Sequence, residues 1–207
     1  MTLWHPEVIP ESVATTLADL GRLELVAEFY LAGGTGLALH FGHRRSADLD
    51  LFTAGSSREQ RWLEALSSQL AGFSLVGIAP ETLHFRQGAT KVRLGYHYPL
   101  AFPAESYSGV KVAEPRDIAC MKLSAVASRG TRRDFVDLYF AGQKYGLGDL
   151  LEIFQRKYAQ VRYPHVHLLK SLTYFVDAEK DPMPDMLVGV DWKEIRAYFV
   201  REASKLV

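Results

Sequence analysis

The sequence predicts an α/β (α+β) chain in which strands are gathered in residues 1–112 and residues 113–207 are helical. Short extended runs, at 48–52, 73–78, 82–86 and 90–98, all fall in the first half, and from Pro115 onwards apolar residues recur at helical spacing. With 48% hydrophobic and 23% charged residues among 207, the chain has an ordinary globular composition and the length for one domain or two tightly joined lobes, which excludes disorder as its main state.

Taken in order, residues 11–21 place Val13, Leu17 and Leu20 at helical spacing after Pro10, with Gly21 as a stop. Residues 25–32 are apolar and aromatic and predict a buried strand, with Leu23 or Val26 as alternative starts, running into a Gly33-Gly34 turn. Leu37, Ala38, Leu39 and Phe41 suit a short helix that Gly42 ends. Residues 48–52 alternate polar and apolar over their first four positions, as a strand with one buried face does. Ser57 caps a helix over 57–70 carrying Trp62, Leu63, Leu66 and Leu70. The runs 73–78, 82–86 and 90–98, punctuated by Gly88 and Pro99, predict an antiparallel meander. Helices are expected at 115–128, 132–145, 148–159, 164–176 and 192–205, with Asp181-Pro182-Met183-Pro184 as a loop. Repeats and linkers are lacking, so the halves are expected to share an interface as one compact unit.

Twenty-four basic residues balance twenty-four acidic ones, which argues against a protein that coats nucleic acid indiscriminately. No apolar run approaches the ~18 residues that cross a bilayer, and residues 1–21 lack the apolar stretch of a signal peptide, so the expected location is the cytoplasm, away from membranes. The single cysteine, Cys120, reads as a buried thiol.

Residues 30–52 carry the most chemistry. On a strand, Asp48 and Asp50 share a face while Leu49 and Leu51 enter the core, and two adjacent carboxylates repel unless a cation joins them. Magnesium takes one or two carboxylates together with substrate phosphates, which fits this pair. Gly33 and Gly34 have no side chain to block a phosphate, and Thr35 offers a hydroxyl beside the free N–H groups of a helix start. Neither a Walker A lysine nor a Gly-x-Gly-x-x-Gly follows, and alone an Asp-x-Asp is most often a solvated strand face. Lys122 and Arg129, seven apart, share a helix face from which either can neutralise triphosphate charge, although a lysine at such an edge also commonly only snorkels. Asp134 and Asp137 are neighbours on the next helix, with an ion pair to Arg133 as the plain structural alternative for Asp137. Arg44, Arg45, Arg129, Arg132 and Arg133 form two basic clusters suited either to RNA phosphates or to a solvated surface.

The combination of Gly33-Gly34-Thr35 with Asp48-Leu49-Asp50 resembles the first motif of the nucleotidyltransferase superfamily. Residues 43–50, His-Arg-Arg-Ser-Ala-Asp-Leu-Asp, and 122–139, from Lys122 through Asp134 and Asp137 to Tyr139, are similar to the AbiEii/AbiGii toxins of abortive-infection toxin–antitoxin systems. The resemblance covers about residues 25–145. It implies a minimal nucleotidyltransferase fold, a twisted mixed sheet flanked by helices, with a C-terminal helical lobe. It also implies Mg2+-dependent transfer of NMP from an NTP to an acceptor hydroxyl, with tRNA among the acceptors, and a cognate antitoxin as partner. Carried over, Asp48 and Asp50 bind the metal, Gly33, Gly34 and Thr35 hold the phosphates, and Lys122, Asp134 and Asp137, which match the family's lysine and later acidic motifs, join the two aspartates in catalysis; Arg44 and Arg129 are further candidates for holding the nucleotide. One departure stands out. The strand where many two-metal enzymes carry a third carboxylate presents Lys91, Arg93, Gly95 and His97 instead. Asp134 or Asp137 is expected to take that role, with His97 as an alternative base. A non-catalytic nucleotide-binding or protein-interaction module of the same fold, and a small-molecule transferase of the antibiotic-modifying kind, remain the rival readings.

Overall fold

Two parallel pairings bring the fold together around one two-residue strand. In the computed structural model, which describes residues 2–55, 59–97, 99–161 and 164–206, β1 (Tyr30–Leu31) pairs antiparallel with β2 (Asp48–Thr53) on one side and parallel with β7 (Val110–Val112) on the other. β2 in turn pairs parallel with β5 (Thr90–Tyr96), in the register Asp48↔Lys91 and Asp50↔Arg93. β3 (Phe73–Ala79), β4 (Thr82–Gln87) and β5 form the antiparallel meander expected from the sequence, and β6 (Glu105–Tyr107) closes the other edge. The result is a mixed seven-stranded sheet of order β3-β4-β5-β2-β1-β7-β6.

The helices α1 (Glu11–Leu20), α2 (Gly33–Phe41) and α3 (Glu59–Gln69) lie among the strands in sequence, followed by α4 (Pro115–Arg129), α5 (Arg132–Tyr145), α6 (Leu147–Lys157), α7 (His165–Leu172) and α8 (Trp192–Ser204). Local chemistry accounts for several boundaries. Pro115 opens α4, where its missing N–H costs nothing, and the Glu114 carboxylate accepts from the Arg116 N–H. Thr131 and Asp134 form a reciprocal capping box at the start of α5, and Gly42 ends α2 in the left-handed region at φ 66°.

Leu49 and Leu51 are buried with Leu83, Phe85, Val92 and Leu94 against α1 and α3, the apolar side of the sheet. A second core, with Phe135, Leu150, Phe154, Ile195 and Phe199, fills the helical half. Tyr30, Ala32, Leu37, Phe52, Ala113 and Ile118 pack together where β1, β2 and α2 meet α4. Asp117 and Lys157 pair inside the helical half, and the same carboxylate accepts from the N–H groups of Ala101 (2.9 Å) and Phe102 (2.9 Å). Cys120 is fully buried, and burial pushes its thiol pKa up to about 12.

Four expectations are corrected. Residues 24–28 form a 3-10 turn, and only Tyr30–Leu31 remain extended from the strand expected over 25–32. Gly33 and Gly34 are already the first turn of α2 rather than a loop before it. The helix expected over 164–176 ends at Leu172, with Pro164 as its N-cap. Strands β6 and β7 were not anticipated. The expected cap Ser57 and the strand end Tyr98 lie outside the described residues.

Candidate active site

Strand β2 sets the geometry. Its alternation sends Leu49 and Leu51 into the core and Asp48 and Asp50 to the opposite face, where Asp48 is exposed and Asp50 half-buried. The two carboxylates line a groove of about 370 Å³ with His84 and Arg86 from β4, Lys91 and Arg93 from β5, and Val76 from β3. Burial raises the pKa of Asp50 above the ordinary carboxylate value, against the pull of Arg93 and Lys122, so both cations act on this carboxylate.

The glycines at the start of α2 accept these side chains. Gly33 sits at φ +62°, and a Cβ there would lie 2.6 Å from Asp50 Oδ2; at Gly34 it would lie 2.2 Å from Arg44 Nη2. The space freed by the two glycines is therefore filled by Asp50 and by Arg44, while the first α2 ladder bond, from the Gly36 N–H to the Ala32 carbonyl, leaves the N–H groups of residues 33–35 outside the ladder. A second N–H of the same segment, that of Ala32, donates to the Asp50 carbonyl and fixes α2 to β2.

Behind the glycines lies a buried charge cluster. Asp137 is fully buried and receives Arg44 through Nε (2.6 Å) and Nη2 (2.9 Å), His43 through Nε2 (2.9 Å) and the Lys122 ammonium (2.8 Å). Lys122 also donates to Asp134 at 2.8 Å. Burial opposes the Asp137 charge, but Lys122 and Arg44 outweigh it and hold this carboxyl well below its usual range. Burial likewise works against charge on Lys122 and Arg44, and their carboxylate neighbours reverse the sign, raising both above their ordinary values. Segment 43–45 is held from outside by the returning chain, with the Arg45 N–H donating to the Asp185 carbonyl and the Leu187 N–H to that of His43.

This arrangement corrects several expected roles. The Thr35 hydroxyl is buried, bonded to Ser46 Oγ (2.8 Å) and to the Asp48 carbonyl, so it braces the start of β2 instead of meeting a phosphate. Arg44 is committed to Asp137 and inaccessible to a nucleotide. Arg129 is exposed at the end of α4 and lines a separate groove with His167 and Lys170. Asp134 and Asp137 spend their oxygens on Lys122, Arg44, His43 and the Thr131 cap, so neither supplies the carboxylate missing from β5, and neither pairs with Arg133. The ring of His97 packs edge-on against Phe52 and Tyr158. Of the expected residues, the structure brings together Asp48, Asp50, Gly33, Gly34 and Lys122. His84 and Arg86 went unremarked in the sequence, although period-two alternation through the hairpin around Gly88 places them opposite Arg93 and Lys91.

Two carboxylates of hard oxygen character, one with Lys122 and Arg93 as charge neighbours, fit a magnesium ion whose remaining ligands are phosphate and water, and no cluster of three metal-ligating side chains occurs among the described residues. A mixed sheet that sets a carboxylate pair beside a glycine-opened helix, with a lysine arriving from the helical half, defines a nucleotidyltransferase. The chain belongs to the family described as nucleotidyl transferase AbiEii toxin of type IV toxin–antitoxin systems, which matches residues 15–108 and 92–205. It is 34% identical over 197 residues to an uncharacterized protein of Aquifex aeolicus (strain VF5), covering 91% of this chain and 93% of that one. Among solved structures it is similar to MenT4, a nucleotidyltransferase toxin of Mycobacterium tuberculosis H37Rv, with a TM-score of 0.59 at 16% identity over 95% of this chain and 85% of that one. It is also similar to the antibiotic-resistance factor ANT(2'')-Ia, with a TM-score of 0.53 at 15% identity over 75% and 99% of the two chains.

Proposed function

We propose that this protein is a magnesium-dependent toxin that transfers NMP from an NTP to a hydroxyl of an RNA acceptor, tRNA among the candidates, and that a cognate antitoxin protein restrains it. The observation that carries this reading is the Asp48–Asp50 pair, placed on one strand face beside the α2 N-terminus and under the charge of Lys122. On this reading residues 1–112 form the transferase core and 113–207 a helical lobe packed on it.

In the reaction, the acceptor hydroxyl gives its proton to water, its oxygen forms a bond to the α-phosphorus as the bond from that phosphorus to the bridging oxygen breaks, and pyrophosphate leaves. Asp48 and Asp50 would hold a magnesium ion, whose chemistry there would be Lewis-acid polarisation of the phosphoryl oxygens and a lowered pKa for the acceptor hydroxyl. Lys122 has three N–H bonds, of which Asp134 and Asp137 take two, and the third is directed to the triphosphate as its charge builds. Asp134, Asp137 and Arg44 are positioning residues. Asp134 and Asp137 keep Lys122 protonated, and Arg44 ties Asp137 of α5 to the segment that follows α2. The N–H groups of Gly33, Gly34 and Thr35 face the same phosphates at the positive end of α2.

Incubation with labelled NTPs, magnesium and total tRNA tests the reading. Label transfer is expected for the wild type and near-complete loss for Asp48→Asn and for Asp50→Asn, with folding intact; unchanged transfer in either variant overturns the metal assignment. The lack of a carboxylate on β5 favours one second reading, a nucleotide-binding module without transfer. It requires nucleotide binding that ignores magnesium and no labelled product.

A further inference from the structure

The strand register builds a feature that the transfer chemistry above leaves unused. Lys91 sits opposite Asp48 and Arg93 opposite Asp50; one strand further out, Arg86 sits opposite Lys91 and His84 opposite Arg93. All four side chains are exposed on the groove face. They form a two-by-two grid with strands about 4.8 Å apart and positions about 6.6 Å apart along each strand. Like charges directly opposite each other destabilise a sheet, so Arg86 across from Lys91 works against the fold. No ion pair among the described residues engages these four side chains; the nearest acids are Asp48 and Asp50, in register with Lys91 and Arg93 and outnumbered by the cations, and Arg86 has no acid opposite it. Among the described residues Arg86 reaches the Ala89 carbonyl, at 3.4 Å, and Arg93 lies over the Phe52 ring at 5.4 Å.

The grid also has a definite side. Gly33, Gly34 and Lys122 approach the carboxylates from the β1 flank of β2, and the grid extends from the β5 flank towards the sheet edge. In an in-line displacement the attacking acceptor oxygen and the leaving pyrophosphate lie on opposite sides of the phosphorus. Of the arginines that the sequence offered for RNA, Arg44 is buried, Arg45 pairs with Asp185 at 3.7 Å, Arg132 donates to the Ala178 and Glu179 carbonyls, Arg129 lines another groove, and Arg133 is exposed on α5.

We propose that Arg86, Lys91 and Arg93, with His84 at the corner, bind the phosphodiester backbone of the acceptor and lead its terminal hydroxyl to Asp48 and Asp50. The acceptor is accordingly a polyanion, and the grid repels a cationic aminoglycoside such as the tobramycin in the adenylylated complex of ANT(2'')-Ia. Naming the ligand as acceptor rests on the transferase reading; the polyanion site itself does not.

Fluorescence anisotropy of a labelled single-stranded oligoribonucleotide, in EDTA and without NTP, tests the site, alongside calorimetry of NTP with magnesium. In the Arg86→Ala/Lys91→Ala variant, oligonucleotide affinity is expected to fall at least tenfold at low salt. The slope of log affinity against log salt becomes shallower by roughly 1.4, two phosphate contacts at about 0.7 each, while NTP affinity stays within twofold. Arg86→Glu, at an exposed position, lowers oligonucleotide affinity further, and circular dichroism checks that each variant folds. Unchanged oligonucleotide affinity and slope in folded variants overturns the proposal. So does a tenfold loss of NTP affinity with oligonucleotide binding intact, which would give the grid to the donor triphosphate. A wild type that binds the oligonucleotide through the grid but transfers no label sinks the transferase reading and leaves the polyanion site standing.

Discussion

Lys122 and Arg44 lie on one flank of the Asp48–Asp50 pair, buried and bonded to Asp134 and Asp137; Arg86, Lys91 and Arg93 lie on the other flank, exposed and in no ion pair among the described residues, with Asp48 and Asp50 as their nearest acids. The residue types are the same and the roles differ. A buried cation must be paired, and its partner then fixes where it points, which makes the first flank a rigid frame. Exposed cations that outnumber the acids beside them stay free to meet something that arrives from solution. Burial and pairing therefore separate residues that position from residues that meet a ligand.

Removing the shared partner should break the rigid flank most. Asp137→Asn leaves Arg44 and Lys122 buried with one compensating charge fewer and is expected to cost about 3–5 kcal/mol in urea unfolding. Its pH signature is specific. A carboxyl held below its usual range contributes stability that is complete above its unfolded pKa, about 3.9, and is lost as pH falls through the lower folded value. The wild type should thus show a steeper loss of stability below about pH 4 than the variant does.

Next in size is the wall beneath the carboxylates. Leu51→Ala should cost about 2–5 kcal/mol by the same measurement, because the side chain is fully buried under the strand that carries Asp50. Gly34→Ala forces a Cβ into Arg44 Nη2 and should cost about 1–3 kcal/mol, with a loss of transfer that exceeds the loss of stability if Arg44 holds the frame. Thr131→Ala removes the α5 cap that also engages Asp134 and should cost about 1 kcal/mol. On the exposed flank the sign reverses. Arg86→Ala should leave stability unchanged or raise it by about 0.2–1 kcal/mol, and a loss above 1 kcal/mol would mean that Arg86 serves the fold.

The parts of this design differed in how legible they were. The alternation in Asp48-Leu49-Asp50-Leu51 places two acids and two core residues unambiguously, and Pro115 and Gly42 mark helix ends by local chemistry alone. Tyr30–Leu31 is too short to show a period, and its apolar neighbours 24–28 look the same whether coiled or extended. Val110-Lys111-Val112 does alternate, but three residues beside a glycine turn carry little signal; only pairing with β1 makes them a strand. The inward turn of Asp134 and Asp137 was hidden for a different reason. Spacing shows which residues share a helix face, whereas the fate of a carboxylate depends on the cations that other elements bring to it, here Lys122 from α4 and Arg44 from the segment after α2.

The state of Cys120 has a practical consequence. It is the chain's single cysteine, fully buried, with its thiol pushed up to about 12, so it carries almost no thiolate near neutral pH. Maleimide dyes should therefore leave the native protein unlabelled. A cysteine placed at Ser74, exposed on β3 and opposite Arg86, would be the sole reactive handle, so a fluorophore there could report arrivals at the outer end of the groove without background from the interior.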